Sequence, residues 1–200
     1  FYELLTLSTL PLVMHALDSK ARYAGRIYLT YSMCGAALGF IAMVLLLEHG
    51  GMFFQFGGGV SVLAGKENTL RAAYVLGFFG FGVKAAVFPG HRWLLRASVA
   101  PTPVTALLHA VAVVKAGAFA VLRLIYYGFG ADFLRGSWAQ TVVMTAAIVT
   151  IVYGSARALR TPHLKRRLAF STVSNLSYIL FALTLMTPAG MVGGMTHMVY

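Results

Sequence analysis

The stretch IYLTYSMCGAALGFIAMVLLL, residues 27–47, runs for 21 residues without a charge. As an α-helix rising about 1.5 Å per residue it matches the hydrocarbon core of a bilayer, which is about 30 Å thick. Working outward from charge to charge, the same pattern recurs at Leu4–Leu17, Ala72–His91, Ala97–Leu122, Gly136–Ala156 and Leu168–Tyr200, interrupted only by Lys84 and Lys115. The last run holds Thr187, Pro188 and Gly190, a turn signal that splits it into a full helix and the start of another. The fold class expected is therefore all-α: a polytopic transmembrane helix bundle of about seven membrane segments. Residues 1–200 read as one partial transmembrane domain, the first and last segments cut short, excerpted from a larger subunit.

Composition agrees with this reading. The chain is 59% hydrophobic and 10% charged, with a mean hydropathy of +0.78, more apolar surface than a soluble domain of 200 residues can hide. Its formal charge of +11 would suggest nucleic acid in a polar chain, but these cations sit at the borders of apolar runs. The single cysteine, Cys34, excludes an internal disulfide, and no secretory leader is visible. Lys20, Arg22, Arg26, Arg92, Arg96, Arg157, Arg160, Lys165, Arg166 and Arg167 fall in one set of alternate loops, whereas Lys66, Arg71, Arg123 and Arg135 fall in the other. The positive-inside rule then makes the loops at 18–26, 92–96 and 157–167 cytoplasmic, in a prokaryotic inner membrane. Residues 48–71, with Gly50, Gly51 and Gly57–Gly59, read as an extracytoplasmic loop with one short interfacial helix. Gly35 and Gly39 form a GxxxG step for close helix packing. Gly77, Gly80 and Gly82 lie inside an apolar helix without a preceding strand, so a nucleotide fingerprint fails on context.

Removing the loop charges leaves Lys84 and Lys115 within membrane runs and Glu3 near the start of the first. A charge at the bilayer centre costs about 2.5–3.5 kcal/mol, so such groups face the bundle interior or water and mark transport paths. Lys84 lies about 18 Å from the far end of its run, too deep to snorkel. By the same rise Glu3, Lys84, His109, Lys115 and His197 occupy related depths on different helices and form a candidate lateral relay. Glu3 is the only carboxylate able to pair with Lys84. Burial disfavours a charged amine and a carboxylate neighbour favours it, so a movable pair is a proton switch; a fixed salt bridge is the alternative. His109 and Lys115, six apart, lie about 120° apart on an ideal helix. His15 reads as a hydrogen-bonded packing residue. Ser171, Ser174, Asn175 and Tyr178 follow i, i+3, i+4, i+7 spacing, a polar stripe expected to turn inward and either bond a neighbouring helix or hold a water wire. Pro101 and Pro103 suit the start of the fourth helix, and Pro89-Gly90 closes the third. No cysteine cluster or histidine pair with ligand spacing appears, so neither a metal nor a cofactor is expected in this chain.

The stretch from Gly82-Val-Lys84 through Phe88-Pro89-Gly-His91-Arg-Trp93-Leu94, followed by Ala100-Pro101-Thr-Pro103 to His109 and Val114-Lys115-Ala-Gly117, resembles the central signature of the antiporter-like subunits. That family is shared by respiratory complex I, membrane-bound hydrogenases and Mrp cation/proton antiporters. Phe1-Tyr-Glu3 and Leu164-Lys165 to Asn175 are similar to it as well. The resemblance implies a helical half-channel in which Glu3 matches the family's glutamate, Lys84 the pumping lysine and Lys115 the bridging lysine. His109 matches a histidine of the bridging helix. Leu95 and Arg96 depart from the usual proline and acidic residue.

The function expected is that of a proton-translocating subunit, or one exchanging Na+ for H+, in a redox-driven pump of the complex I or hydrogenase type. Glu3, Lys84, Lys115 and His109 are the carriers. The subunit is non-redox, the translocase of NADH:quinone oxidoreductase type, and the partners are other membrane subunits, the lipid bilayer and the ion. An Mrp-type secondary antiporter subunit is the alternative, and a haem-binding cytochrome b-like protein a rival of another class.

Overall fold

The computed structural model describes residues 2–50, 54–58 and 65–199. Phe1, Tyr200 and residues 51–53 and 59–64 of the expected outer loop, Gly51 and Gly59 among them, lie outside the described residues.

Every regular element among the described residues is helical: α1 Tyr2–Val13, α2 Ser19–Gly50, α3 Glu67–Gly82, α4 Arg92–Ala97, α5 Thr102–Phe129, α6 Ala131–Leu134, α7 Trp138–Arg160, α8 Leu164–Thr184 and α9 Pro188–Val199. Local chemistry sets several starts. Asp18 Oδ1 accepts from Ala21 N at 2.6 Å ahead of α2, and Ser137 Oγ accepts from Gln140 N at 3.3 Å ahead of α7. Pro101 and Pro103 sit at the first turn of α5, where a missing N–H costs nothing. Pro188 opens α9 while Thr187 Oγ1 accepts from Gly190 N at 3.1 Å, so the turn read from the sequence divides the last run.

Each of the seven expected segments contains a helix. By length and composition, α2, α5 and α7 each suffice to cross a membrane. Burial differs from that of a soluble bundle in what faces outward and in which polar groups are enclosed. Phe40, Val152 and Leu159 are 70%, 62% and 83% exposed, while Thr6, Thr9, Ser32, Lys84, Thr150 and Ser177 are buried. The core is itself largely apolar, so these helices are apolar on both their packed and their outer faces, which requires lipid as the solvent; the chain is an integral membrane protein.

Three expectations change. The third run is not one helix to His91: α3 stops at Gly82, ahead of Pro89-Gly90. A proline blocks the helical bond to the residue four before it and pushes the residue before it out of the helical region, so its effect reaches back up the chain. Beyond Gly82 the backbone makes a wider bond from Val87 N to Gly82 O at 3.0 Å, and Ala86 takes φ +58°. The freed groups find side chains: Trp93 Nε1 donates to Val83 O at 2.7 Å, and Phe88 N donates to Thr150 Oγ1 at 3.1 Å. Second, the expected loop at 48–71 is narrower, because α2 continues to Gly50 and α3 begins at Glu67. Residues 54–58 are not helical, and Gly58 approaches Gly130 so closely that a Cβ there would lie 2.5 Å from its Cα. Third, α5 is not uniform. Leu107–Val111 and Leu124–Phe129 widen into π turns, with Ala112 N donating to Leu107 O at 3.1 Å and Gly130 N to Ile125 O at 2.9 Å.

The GxxxG step works as read. A Cβ on Gly80 of α3 would lie 2.5 Å from Gly39 N, and one on Gly35 would lie 2.7 Å from Gly80 O, so α2 and α3 touch backbone to backbone. Gly80→Val is therefore expected to cost about 1–3 kcal/mol or more through overpacking. Gly193→Ala in α9, with nothing within 4 Å of the added carbon, serves as the comparison. Thermal unfolding of the purified protein checks this: a lowered midpoint for Gly80→Val alone is the expected result.

Candidate functional site

Lys84 lies two residues past the end of α3, where the helix break stands, and its side chain is fully buried. Its ammonium is 3.4 Å from Glu3 Oε1, donates to Tyr2 O, and sits 3.4 Å from the centre of the Tyr2 ring. Both partners belong to the first turn of α1, so one helix end supplies a carboxylate, a carbonyl and a π face to one cation. Tyr2 is itself fixed, its hydroxyl donating to Phe81 O at 3.1 Å and its ring packing edge-on to Phe81 at 5.2 Å.

The carboxylate is less firmly held than the amine. Both Glu3 oxygens are shielded from solvent and accept no hydrogen bond among the described residues. Their compensation is the charge of Lys84, an attraction of about 5 kcal/mol at an effective dielectric of about 20, before desolvation is subtracted. Such a pair resists losing one member but not a concerted change of protonation, because no third group pins the carboxylate.

α5 is pressed against the same point. A Cβ on Gly117 would lie 2.6 Å from Ala85 N and 2.8 Å from Lys84 Cβ, so only glycine lets the helix carrying Lys115 rest on the Lys84 backbone. Lys115 is half-buried, two residues away, and has no hydrogen bond or ion pair among the described residues. His109 lies in the first π turn, its Nε2 buried and unpartnered. The 120° relation expected for His109 and Lys115 does not hold, because that turn and Ala112, at φ −115° and ψ −65°, interrupt the ideal helix between them.

The polar stripe of α8 divides rather than turning inward as a whole. Ser174 is buried, sharing a 2.8 Å hydrogen bond with Ser155 of α7 and donating to Ile151 O at 3.3 Å; Ser171 is half-buried. Asn175 and Tyr178 are exposed in an open cleft. Regular spacing marks a common face but not the neighbour that covers it. His197 is exposed too, its ring 6.3 Å from that of Tyr178, so it joins this stripe and not the Lys84 cluster. His15 is exposed in the turn after α1, which ends at Val13, and its side chain makes no hydrogen bond among the described residues, unlike the packing role expected.

Sequence reasoning noted Tyr2, Gly117 and His91 only as parts of the family signature and gave them no role of their own. His91 is 3% exposed with its Nδ1 unpartnered, stacked on Phe88 at 5.6 Å and edge-on to Tyr153 at 5.0 Å. It looked like the border of a basic loop because the early end of α3 carries no signal of its own. Among the described residues no three His, Cys, Asp or Glu side chains gather where a metal ion could sit.

The transmembrane family profile described as NADH:quinone oxidoreductase/Mrp antiporter matches residues 1–200. Hydrogenase-4 component B of Escherichia coli is 32% identical over 98% of the chain, which spans 30% of that protein. Among solved structures, one of the Mrp complex from Dietzia sp. DQ12-45-1b overlays 99% of the chain with a TM-score of 0.78 at 27% identity, the chain covering 21% of the matched one. The archaeal membrane-bound sulfane sulfur reductase shares the fold, with a TM-score of 0.79 at 24% identity over 99% of this chain and 40% of that one. The chain belongs to the NADH:quinone oxidoreductase/Mrp antiporter transmembrane family.

The geometry makes the ion pair asymmetric in its consequences. Glu3→Leu leaves a buried, unpaired ammonium and is expected to cost about 3–5 kcal/mol. Glu3→Leu with Lys84→Met removes both charges and is expected to recover most of that loss. Unfolding of both variants in detergent measures the difference; equal losses would mean that the two charges are not coupled.

Proposed function

We propose that this chain forms part of a proton-translocating, antiporter-like membrane subunit of a redox-driven pump of the complex I or hydrogenase type. The observation that carries the reading is the buried Glu3–Lys84 pair at a break in α3, with the Lys115 helix packed on the same backbone. It rests also on membership of the family and on likeness to hydrogenase-4 component B. The subunit contains no redox centre; electrons pass through partner subunits, which hold the cofactors. The loops at 18–26, 92–96 and 157–167 face the cytoplasm of a prokaryotic inner membrane, the rest of the subunit and neighbouring membrane subunits surround the bundle, and residues 1–200 act as one domain.

The residues divide the work as follows. While Glu3 is ionised beside Lys84, the amine keeps its proton. When the carboxylate separates or is protonated, the buried ammonium loses its compensation and passes its proton toward Lys115 and His109. The break is what lets Lys84 respond, because residues 83–91 are held by isolated turn bonds and by side chains rather than by a continuous helical ladder. Ser171, Ser174, Asn175, Tyr178 and His197 line a second, hydrated route.

An Mrp-type subunit, exchanging Na+ for H+, is the second reading, favoured by the likeness to the Mrp complex. The two readings share the relay and differ in partners, which copurification separates.

Lys84→Ala in the intact complex, assembled normally, is expected to abolish coupled proton or sodium flux into vesicles, and Lys115→Ala to lower it at least about tenfold. Flux equal to wild type in Lys84→Ala vesicles would remove Lys84 from the mechanism.

A further inference from the structure

A buried threonine in a helix commonly donates back to the carbonyl one turn before it and so needs no partner elsewhere. In α1, Thr9 does this, its Oγ1 donating to Leu5 O at 2.7 Å. Thr6, which has no exposure to solvent, does not: its Oγ1 has no hydrogen bond among the described residues. The carbonyl four residues before Thr6 is Tyr2 O, and that oxygen already accepts from the Lys84 ammonium. Lys84 thus leaves one hydroxyl free beside itself.

That hydroxyl stands between two polar groups. Glu3 lies one turn before Thr6 on α1 and Thr9 one turn after it. Both Glu3 oxygens are shielded and accept no hydrogen bond among the described residues. On the other side, Thr9 Oγ1 shares a 2.7 Å hydrogen bond with the hydroxyl of Tyr28 on α2, and this buried hydroxyl also faces Thr6. Thr9 has one hydrogen to give and three oxygens close by: Leu5 O, Thr6 O at 3.2 Å and the Tyr28 hydroxyl. While Thr9 donates to Leu5 O, Tyr28 donates to Thr9, and nothing points toward Glu3. When Thr9 turns its hydrogen to Tyr28, the Tyr28 hydrogen is released for Thr6 and that of Thr6 for the carboxylate. A rotation about χ1 of Thr6 is the missing link, and threonine in a helix populates two such rotamers.

We propose that Thr9, Tyr28 and Thr6 form the hydroxyl chain through which Glu3 takes up its proton. Thr9 lies one turn from Val13, where α1 gives way to a turn carrying the exposed His15 and Asp18, on the cytoplasmic side in the orientation proposed above. A hydronium ion at that end gives a proton to Thr9. Thr9 passes its own hydrogen to Tyr28, Tyr28 passes its own to Thr6, and Thr6 passes its own to Glu3. The hydronium becomes water, the carboxylate becomes a carboxylic acid, and the hydroxyls rotate back before the next transfer. The chain rests on the reading of Glu3 and Lys84 as a proton relay. A purely structural clasp between α1 and α2 would need the Thr9–Tyr28 bond but not Thr6, which bonds to nothing.

The test measures coupled proton flux of the intact complex in vesicles, with the unfolding midpoint of each variant determined alongside. Thr6→Val keeps the shape of the side chain and removes a hydroxyl that makes no bond, so its midpoint is expected not to fall. Its flux is expected to drop at least about tenfold, a smaller loss than a positioned proton-transfer group usually causes because water fills part of the gap. Tyr28→Phe should lower flux in the same way, and Thr6→Ser, which restores the hydroxyl, should return it to the wild-type level. Flux equal to wild type in Thr6→Val would overturn the chain, as would equal losses in Thr6→Val and Thr6→Ser. The relay is judged separately: flux abolished by Lys84→Ala but untouched by Thr6→Val removes the chain alone, whereas flux untouched by Lys84→Ala removes the relay itself.

Discussion

One buried ammonium organises this bundle. Lys84 has no exposure to solvent, and an uncompensated charge at that depth would cost more than most single contacts return. α1 must therefore bring Glu3 and the Tyr2 ring to it, and α5 must present Gly117 where any larger residue would meet the Lys84 backbone. α7 must supply Thr150 for the backbone that the break leaves open. Four separated parts of the chain converge because one side chain cannot be left alone in lipid. A fastening pair would gain from more hydrogen bonds on the carboxylate. Here Glu3 has none among the described residues, which suits a group whose charge state changes.

The break and the pair belong together. In an unbroken helix Lys84 would point from a rigid ladder, and moving it would mean moving the whole element. With α3 ended at Gly82, the stretch to His91 is held by the turn bonds of Ala86 and Val87 and by Trp93 and Thr150, contacts that can be exchanged without unzipping a helix. The π turns of α5 have a similar effect around His109, freeing a segment of backbone from the regular pattern beside the site. The backbone contact of α2 with α3, through Gly35, Gly39 and Gly80, gives this adjustable region a rigid wall.

Much of this was readable in the sequence, for definite reasons. Apolar runs of helix-spanning length with at most one buried charge have few alternative explanations, so α2, α5 and α7 were visible at once. Lys84, Lys115 and Glu3 stood out because ionisable groups are rare inside such runs, and Glu3 was the only carboxylate placed to meet Lys84. The early end of α3 was not readable because a proline shows where a helix cannot continue, not how far back the disturbance is absorbed. The π turns have no composition of their own. The stripe from Ser171 to Tyr178 showed a shared face, but its direction depends on what packs against α8, and His15 was misjudged because α1 ends before it. Tyr2 was given no role of its own since an aromatic residue beside a charge is ordinary until its ring is seen over the cation.

The central claim is that Glu3 changes protonation during turnover and does not merely tie Lys84 in place. Infrared difference spectroscopy of the working complex tests this directly, comparing resting and energised states of wild type and of Glu3→Gln. The account predicts a protonated-carboxyl band that appears on energisation in wild type and is missing in the variant. A spectrum in which that band is absent, or is identical in both proteins, would show that Glu3 stays ionised and that the pair is a static clasp.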